Sequence, residues 1–361
     1  MCKGGGAGRV GTRRTVRIHG LGVSGSYLAW RLSSESISIR AFDPAANVYS
    51  KPCGDAITLR PWIRRLLEET GVTKTYVKRF IIRVNGSTIT EHKAGEPYWA
   101  IVDKHSMISY FRREAARNGL KIARGSPELK PRGPGEIAVV DARGPYAHPR
   151  ESWVYAYRIL ARTAKWHGDT AILDFYPSLG GLYWLFPADS EGMLINFGAG
   201  FLNSGPATAR SFAFEKVKAD INDPITPIDE RAAPIAILSN VVVAERGIVR
   251  VGEAGGLVIS SAGEGNRPGL ESARLLAEIV LASDDPGVLE KRYRRNVSRL
   301  ASEAKLSRSL LRTAARMGDR FSSFASSLPD SFWGNYLQGR ISLGYLLSVA
   351  LRKPDLIKYF L

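Results

Sequence analysis

The sequence predicts an α/β fold. A doubly wound, parallel-sheet domain is gathered from separated stretches of chain, an antiparallel β-sheet domain is set between them, and the C-terminal part is helical. Three observations carry this. Residues 15–44 read as strand, glycine-rich turn, helix and strand. Over residues 152–243 helical periodicity mostly gives way to short aromatic and β-branched runs separated by glycine and proline, the texture of an antiparallel sheet. From Ile248 another buried strand leads through glycines into a helix, so the first texture returns late in the chain.

The first stretch is TVRIHGLGVSGSYLAWRLSSESISIRAFDP. Val16 and Ile18 belong to a short buried strand. Gly20-Leu21-Gly22-Val23-Ser24-Gly25 follows as G-x-G-x-x-G, residues 27–32 carry apolar side chains at helical spacing, and residues 36–42 alternate like a second strand. That strand ends in Asp43, 23 residues past Gly20. The first glycine allows a sharp turn and the second lets backbone approach a pyrophosphate. The third lets helix and sheet sit close, and the helix N-terminus offers unpaired N–H groups to phosphate. Asp43 stands where a carboxylate can accept hydrogen bonds from a ribose. Strand, glycines, helix, strand and terminal acid in this order form a Rossmann-type dinucleotide site. Gly20, Gly22, Ser24, Gly25 and Asp43 are its candidate contacts.

Bulk properties narrow the class. A chain of 361 residues accommodates two domains or one elaborated one, and 44% hydrophobic content is ordinary for a packed globular protein. No stretch approaches the roughly 18–20 apolar residues of a membrane-spanning helix. The N-terminal MCKGGGAGRVGTRR is basic and glycine-rich without an apolar core, and reads as a flexible basic tail over residues 1–14 rather than a secretory signal. The two cysteines, Cys2 and Cys53, make no disulfide framework, so a cytoplasmic setting is expected. Lys plus Arg number 51 against 34 Asp plus Glu, a net charge of +17. Such a surface attracts polyanions, whether nucleic acid or an anionic membrane, although a merely solvated basic surface has the same composition.

After Asp43 comes a loop containing Lys51-Pro52-Cys53-Gly54-Asp55. It leaves the C-terminal edge of the second strand toward the cofactor crevice. Its proline and glycine fix a tight turn and leave backbone accessible, so Cys53 is a site candidate as well as a possible small packed thiol. Residues 59–70 read as a helix closed by Gly71, and residues 80–90 as a hairpin around Asn85-Gly86. Residues 98–103 read as a strand, 104–118 as a helix ending at Gly119, and 137–140 as a strand running into Asp141-Ala142-Arg143-Gly144. In the antiparallel region the run Gly180-Gly181-Leu182-Tyr183-Trp184-Leu185-Phe186-Pro187 stands out. Its aromatics either fill a sheet core or wall an apolar pocket facing the cofactor.

The strand at residues 248–251 leads into Gly252-Glu253-Ala254-Gly255-Gly256, then Gly263-Glu264-Gly265-Asn266, then a helix over 270–282. A second glycine-rich passage suits FAD, which is longer than a nicotinamide dinucleotide. An acid after the strand can bind a ribityl or pyrophosphate-side hydroxyl. N–H groups at the helix start can meet the flavin N1 and C2 carbonyl, where negative charge gathers on reduction. Residues 289–317 read as a basic helical stretch with an apolar stripe of Leu289, Tyr293, Val297 and Leu300. Arg292, Arg295, Arg299, Arg308, Arg312 and Arg316 cluster on its faces, either solvated or set against a membrane or lipid headgroup. Residues 332–361 are rich in aromatics and leucine but too broken by glycine and proline to span a bilayer. The five histidines lack metal-ligand spacing, so no metal is expected, and no G-x-S-x-G elbow occurs.

The expected division is a basic tail over 1–14, an FAD-binding domain over 15–72, 100–150 and 242–283, a substrate domain over 73–99 and 151–241, and a helical region over 284–361. These passages together resemble the geranylgeranyl reductase family of flavoproteins, which shares its architecture with aromatic hydroxylases of the p-hydroxybenzoate type. The resemblance runs from about residue 16 to 282 and more loosely beyond. Gly20 to Gly25 with Asp43 match the family's dinucleotide motif. Residues 51–56 match its K-P-C-G-E-G loop, and Trp184, Phe186 and Pro187 match Y-x-W-x-F-P. Residues 252–256 and 263–265 match G-D-A-A-G and G-E-G. Departures are Leu182 in the tyrosine position with Tyr183 one place along, Glu253 for aspartate, and Lys104 for an arginine that contacts FAD. Asn266 stands for an aliphatic residue and Ala56 for glycine.

The resemblance implies FAD held by those glycines together with Asp43, Cys53, Gly54, Ala56, Lys104, Glu253 and Asn266. It implies saturation of isoprenoid C=C bonds in geranylgeranyl chains of archaeal ether phospholipids, with hydride from reduced FAD and a proton from a nearby acid. Cys53, then Tyr183, are the candidate acids. Leu182, Tyr183, Trp184, Phe186 and Pro187 would contact the prenyl substrate. Expected partners are that lipid, an anionic membrane face reached peripherally from the cytoplasm, and an electron donor, ferredoxin or NADPH, that the motifs do not select. Nucleic acid is not expected. The alternatives are an FAD monooxygenase, against which Asp141-Ala142-Arg143-Gly144 is a poor D-G segment for NADPH, and a basic flavoprotein binding RNA or lipid without redox turnover.

Overall fold

The computed structural model describes residues 14–355 apart from 34, 36, 46, 50, 203 and 284. The expected basic tail therefore lies outside the described residues except for Arg14. The first half of the chain runs β1 (Thr15–His19), α1 (Val23–Ser33), β2 (Ser38–Asp43), β3 (Ala56–Thr58), α2 (Pro61–Thr70) and β4 (Thr73–Val77). It continues through β5 (Arg79–Val84), β6 (Ser87–Lys93), β7 (Trp99–Val102), α3 (Lys104–Arg117), β8 (Lys121–Arg124) and β9 (Glu136–Asp141). The second sheet is completed by β10 (Val154–Arg162), β11 (Thr170–Tyr176), β12 (Gly181–Pro187), β13 (Leu194–Gly200), α4 (Pro206–Asp220) and β14 (Thr226–Ile235). Then come β15 (Ala244–Glu245), β16 (Ile248–Arg250), α5 (Asn266–Ala282), α6 (Pro286–Asn296), α7 (Ser298–Met317), α8 (Arg320–Ser327), α9 (Asp330–Leu337) and α10 (Leu343–Arg352).

The first sheet has the order β15-β16-β9-β1-β2-β8. Its pairs are parallel from β16 to β8, with β15 antiparallel at the edge. Val16 and Ile18 on β1 are fully buried, as a strand at the centre of a covered sheet requires. Helix α1 packs on α3 and α5, with Trp30 stacked on Phe111 at 5.2 Å between ring centres. The chain crosses from β1 to β2 on one side and meets β9 on the other. The C-terminal ends of these strands therefore flank a crevice at the switch point where dinucleotide folds bind ligand.

The second sheet has the order β14-β10-β13-β12-β11-β5-β6. All its pairs are antiparallel except β11 with β5. Strand β5 arrives from the early hairpin, turned at Asn85 and Gly86 with φ of 52° and 81°, so its direction is set independently of β11. A three-stranded sheet, β3-β7-β4, joins the two cores: Ala100 and Val102 enter the first, Trp99 and Ile101 the second, because alternate side chains leave a strand on opposite faces.

Helix α4 covers one face of the second sheet and was not expected from the sequence. Only Ala209, Ala213 and Val217 are buried on it, a stripe of small residues too narrow to give a strong helical period. The other face meets α8, α9 and α10. Two further differences are local. Helix α5 starts at Asn266 rather than at residue 270, because Pro268 is tolerated in a first helical turn. The expected stretch over 289–317 is two helices that meet at Val297.

Candidate functional site

The glycine loop is built as its spacing requires. Gly20 has φ of +91°, and a Cβ there would sit 2.6 Å from the Ala142 carbonyl oxygen. A Cβ on Gly25 would meet the Gly20 carbonyl oxygen at 2.0 Å. Gly22 instead faces open space, with nothing within 4 Å of the position of its Cβ. Asp43 ties the loop to β2: its carboxylate accepts from Leu21 N at 2.7 Å and from Ala45 N at 2.9 Å. Arg112 of α3 donates to Asp43 at 3.2 Å and to the Leu21 carbonyl. Sequence reasoning missed Arg112, whose place in a helical pattern resembles that of any solvated arginine.

His19 ends β1 beside this loop. It is 1% exposed, it stacks on Phe42, and neither ring nitrogen has a hydrogen-bond partner. Burial, followed by the charges of Arg17 and Arg143, lowers its pKa to about 4, so the ring is neutral at pH 7. A buried imidazole left unpaired is costly, and its ring lines the cavity described below.

The cysteine loop is the second component. Lys104, 4% exposed, donates to Cys53 Sγ at 2.7 Å and to the Lys51 carbonyl, and lies 3.4 Å from Asp55. Asp55 N donates to the same sulfur at 3.2 Å. Burial pushes the Cys53 thiol up, Asp55 adds to this, and Lys104 opposes it. Burial alone would lower Lys104, but Cys53 and Asp55 outweigh it and hold the ammonium above its ordinary range. The loop is fastened to the second sheet. Asn196 of β13 donates to the Cys53 carbonyl at 2.9 Å and accepts from Trp184 Nε1 at 3.1 Å. A Cβ on Gly54 would meet the Phe186 ring at 2.5 Å, so only glycine lets the loop lie on that ring.

The late glycine passage supplies a third wall. Gly265 caps α5 and Asn266 opens it. Asn266 donates to the Ala56 carbonyl at 3.2 Å. Glu253 accepts from Lys51 at 2.5 Å and from Ala236 N at 2.8 Å. Behind this wall Arg267, 1% exposed, reaches Glu264, Glu271 and Glu303 at 3.2, 3.3 and 2.6 Å. Burial works against its charge, and the three carboxylates outweigh that.

These parts surround one cavity of about 930 Å³, at the upper end for small-molecule sites. Of the expected site residues, Gly20, Gly22, Ser24, Asp43, Cys53, Gly54, Ala56, Lys104, Glu253, Gly265, Asn266, Leu182, Trp184 and Phe186 line it. Gly25 packs beneath the loop. Gly252, Gly255 and Gly256 lie off the wall and hold the turn that presents Glu253, with Gly256 N bonded to the Glu253 carbonyl at 2.9 Å. Tyr183 is a correction. It is fully buried in the core against α4 and does not line the cavity, because β12 sends residues 182, 184 and 186 to one face and 183 to the other. Burial also raises its pKa well above the ordinary tyrosine value, so it is neither a proton donor to this cavity nor a wall. Pro187 ends β12 away from the cavity. Arg308 is a second correction: it is buried, and does not belong with its exposed neighbours Arg312 and Arg316 on a solvated face.

The far end of the cavity is apolar and comes from helices. Met317, Phe321, Phe324, Leu328, Phe332 and Trp333 face it across from Leu173, Phe175 and Trp184 of the sheet. The sequence signals their bulk and aromatic content, but gives no local reason to place them over the second sheet.

No family model and no curated protein matches the sequence. Solved structures do. A geranylgeranyl bacteriochlorophyll reductase-like protein from Thermoplasma acidophilum aligns with a TM-score of 0.74 at 16% identity, over 96% of this chain and 98% of that one. A flavin-dependent brominase aligns with a TM-score of 0.65 at 12% identity, over 94% and 98%. A probable FAD-dependent monooxygenase from Pseudomonas aeruginosa aligns with a TM-score of 0.65 at 14% identity, over 86% and 99%. The chain has the fold of these FAD-dependent oxidoreductases, in the α/β form with an antiparallel sheet and a helical C-terminal part.

Proposed function

We propose that the chain is an FAD-dependent reductase that saturates isoprenoid C=C bonds in geranylgeranyl chains of ether phospholipid precursors. The observation that carries this is the continuity of the cavity. It runs from a dinucleotide loop, past a half-buried cysteine, into a chamber walled by aromatic and aliphatic side chains from sheet and helices.

The residues present fit FAD. Gly22 leaves backbone open to a pyrophosphate, the unpartnered His19 ring awaits a polar group, and Gly265 and Asn266 bring the positive end of α5 to the wall. Asp43, Lys104 and Glu253 complete the holding set. When bound, FAD supplies the hydride. An isolated alkene accepts hydride poorly, so a proton must arrive with it. Cys53 holds that proton on Sγ: burial keeps the thiol protonated, and Lys104 beside it stabilises the thiolate left after transfer. The apolar walls exclude water and hold an extended chain. Ferredoxin and NADPH both stand as donors.

The test is lipid mass spectrometry of cells carrying this gene beside an archaeal ether-lipid pathway. A gain of two hydrogens per double bond is expected, lost in Cys53→Ala with FAD still bound. Unchanged lipids, with a donor shown to reduce the bound flavin, would overturn the reading. The monooxygenase reading rests on the likeness to the FAD-dependent monooxygenase and the brominase. It predicts oxygen consumption matched to a hydroxylated product.

A further inference from the structure

Helix α10 has two apolar faces. Val349 is buried and Leu346 packs into the core beneath the second sheet. On the other face Leu343, Leu347 and Leu351 recur every four residues and are 64%, 56% and 84% exposed. Residues at i, i+4 and i+8 form a single stripe on a helix, so these leucines are an outward ridge rather than scattered surface positions. Leu346, Leu347, Val349 and Ala350 also line the cavity. Leu347 belongs to both sets, so the ridge is the rim of the cavity's apolar end.

The ridge is framed by positive charge. Arg340 precedes the helix, Arg352 ends it and Lys353 follows, all exposed, and Asp355 is the lone acid among residues 331–355. A helix that is packed on its inner face, with leucines on its outer face and basic residues at its ends, can lie in the plane of an anionic bilayer surface. At about 1.5 Å per residue it is far too short to span the roughly 30 Å hydrocarbon core, and among the described residues no helix is long and apolar enough to cross a membrane. A second copy of the chain is a poorer occupant. Three leucines fall well short of the roughly 800 Å² per partner that a stable interface buries.

We propose that α10 is the lip through which the protein seats on an anionic lipid bilayer, with Leu343, Leu347 and Leu351 sunk to the level of the acyl chains. A prenyl lipid then passes from the bilayer into the cavity past Leu347 without crossing water. This rests on reading the cavity as a prenyl-lipid site, and it names the element that meets the membrane.

The test uses the full-length FAD-loaded protein and vesicles of phosphatidylglycerol and phosphatidylcholine, read by flotation. The variant carries Leu343→Glu and Leu351→Glu, neither of which lines the cavity, so flavin affinity and near-UV circular dichroism are expected to be unchanged. Vesicle affinity is expected to fall about tenfold or more, as two apolar anchors become charges at an anionic surface. Arg352→Gln with Lys353→Gln is expected to weaken binding and flatten its salt dependence, with the leucine ridge intact. Wild-type protein that ignores the vesicles, or a glutamate variant that binds them equally, overturns the proposal. So does a variant that only converts a dimer to a monomer. Vesicle binding without lipid reduction leaves the lip standing and removes the reductase reading. Reduction of detergent-dispersed lipid without vesicle binding does the reverse.

Discussion

His19 ends the first strand where the chain enters the glycine loop, and both its ring nitrogens are buried without partners. Burial and two arginines keep it neutral, with a pKa near 4 against an ordinary value of 6.5. The folded state therefore binds fewer protons than the unfolded chain between about pH 6.5 and 4. Its contribution to stability is present above that window and is lost as pH falls through it. Urea midpoints at pH 7 and pH 4.5 should differ less in His19→Phe than in the wild type. An equal pH response in the two proteins would remove His19 from this account. At the same scale, Lys104 and Cys53 show how one contact sets two protonation states. The ammonium stays charged beside the Asp55 carboxylate, while the thiol keeps its proton because burial and Asp55 outweigh the pull of Lys104.

At the scale of elements, the site depends on where α5 begins and what holds it. Arg267 in the first turn of α5 bonds Glu303 of α7, and Arg60, next to α2, donates to the carbonyls of Gln338 and Gly339 after α9. Arg267 thus fastens the wall carrying Gly265 and Asn266 to α7, and Arg60 ties the start of α2 to the end of α9. Arg267→Met leaves three carboxylates facing one another in a largely buried place, and breaking such a buried network costs about 3–5 kcal/mol. The expected outcome is a large drop in the denaturation midpoint. Arg267→Met combined with Glu303→Gln should recover part of it, measured as a coupling energy in a double-mutant cycle. Additivity of the two changes would show that the pair does not hold the wall.

At the scale of the whole molecule, two distant segments close on one cavity. Residues 20–24 from the first, and Glu253 with residues 258–266 from the second, line it, so a ligand that spans them binds the folded chain and not the unfolded one. FAD at a hundred times its Kd should add about 2.7 kcal/mol of stability, read as a rise of several degrees in Tm. A Tm that ignores FAD while the protein is fully folded would remove the cofactor from the proposal. The net charge of +17 acts at this scale as well. It draws the protein toward anionic surfaces over a Debye length of about 8 Å at physiological salt, while shape and apolar contact decide what it does there.

The sequence by itself determined the local chemistry. Glycine spacing, an acid at the end of the second strand, a Pro-Cys-Gly loop and a second glycine passage each follow from rules acting over a few residues, and Gly20, Gly22, Asp43, Cys53 and Asn266 all line the one cavity. Tertiary structure decided which side chains share the cavity. The pleat of β12 turned Tyr183 away and brought Leu182 in. Helix α4 formed on three small residues because a sheet face needed covering. Arg112, Arg267 and the aromatics of α8 and α9 found their partners across long stretches of chain. A residue's period is written beside it in the sequence, but the neighbour it will touch is set by how whole elements pack, and burial of apolar surface drives that packing without regard to distance along the chain.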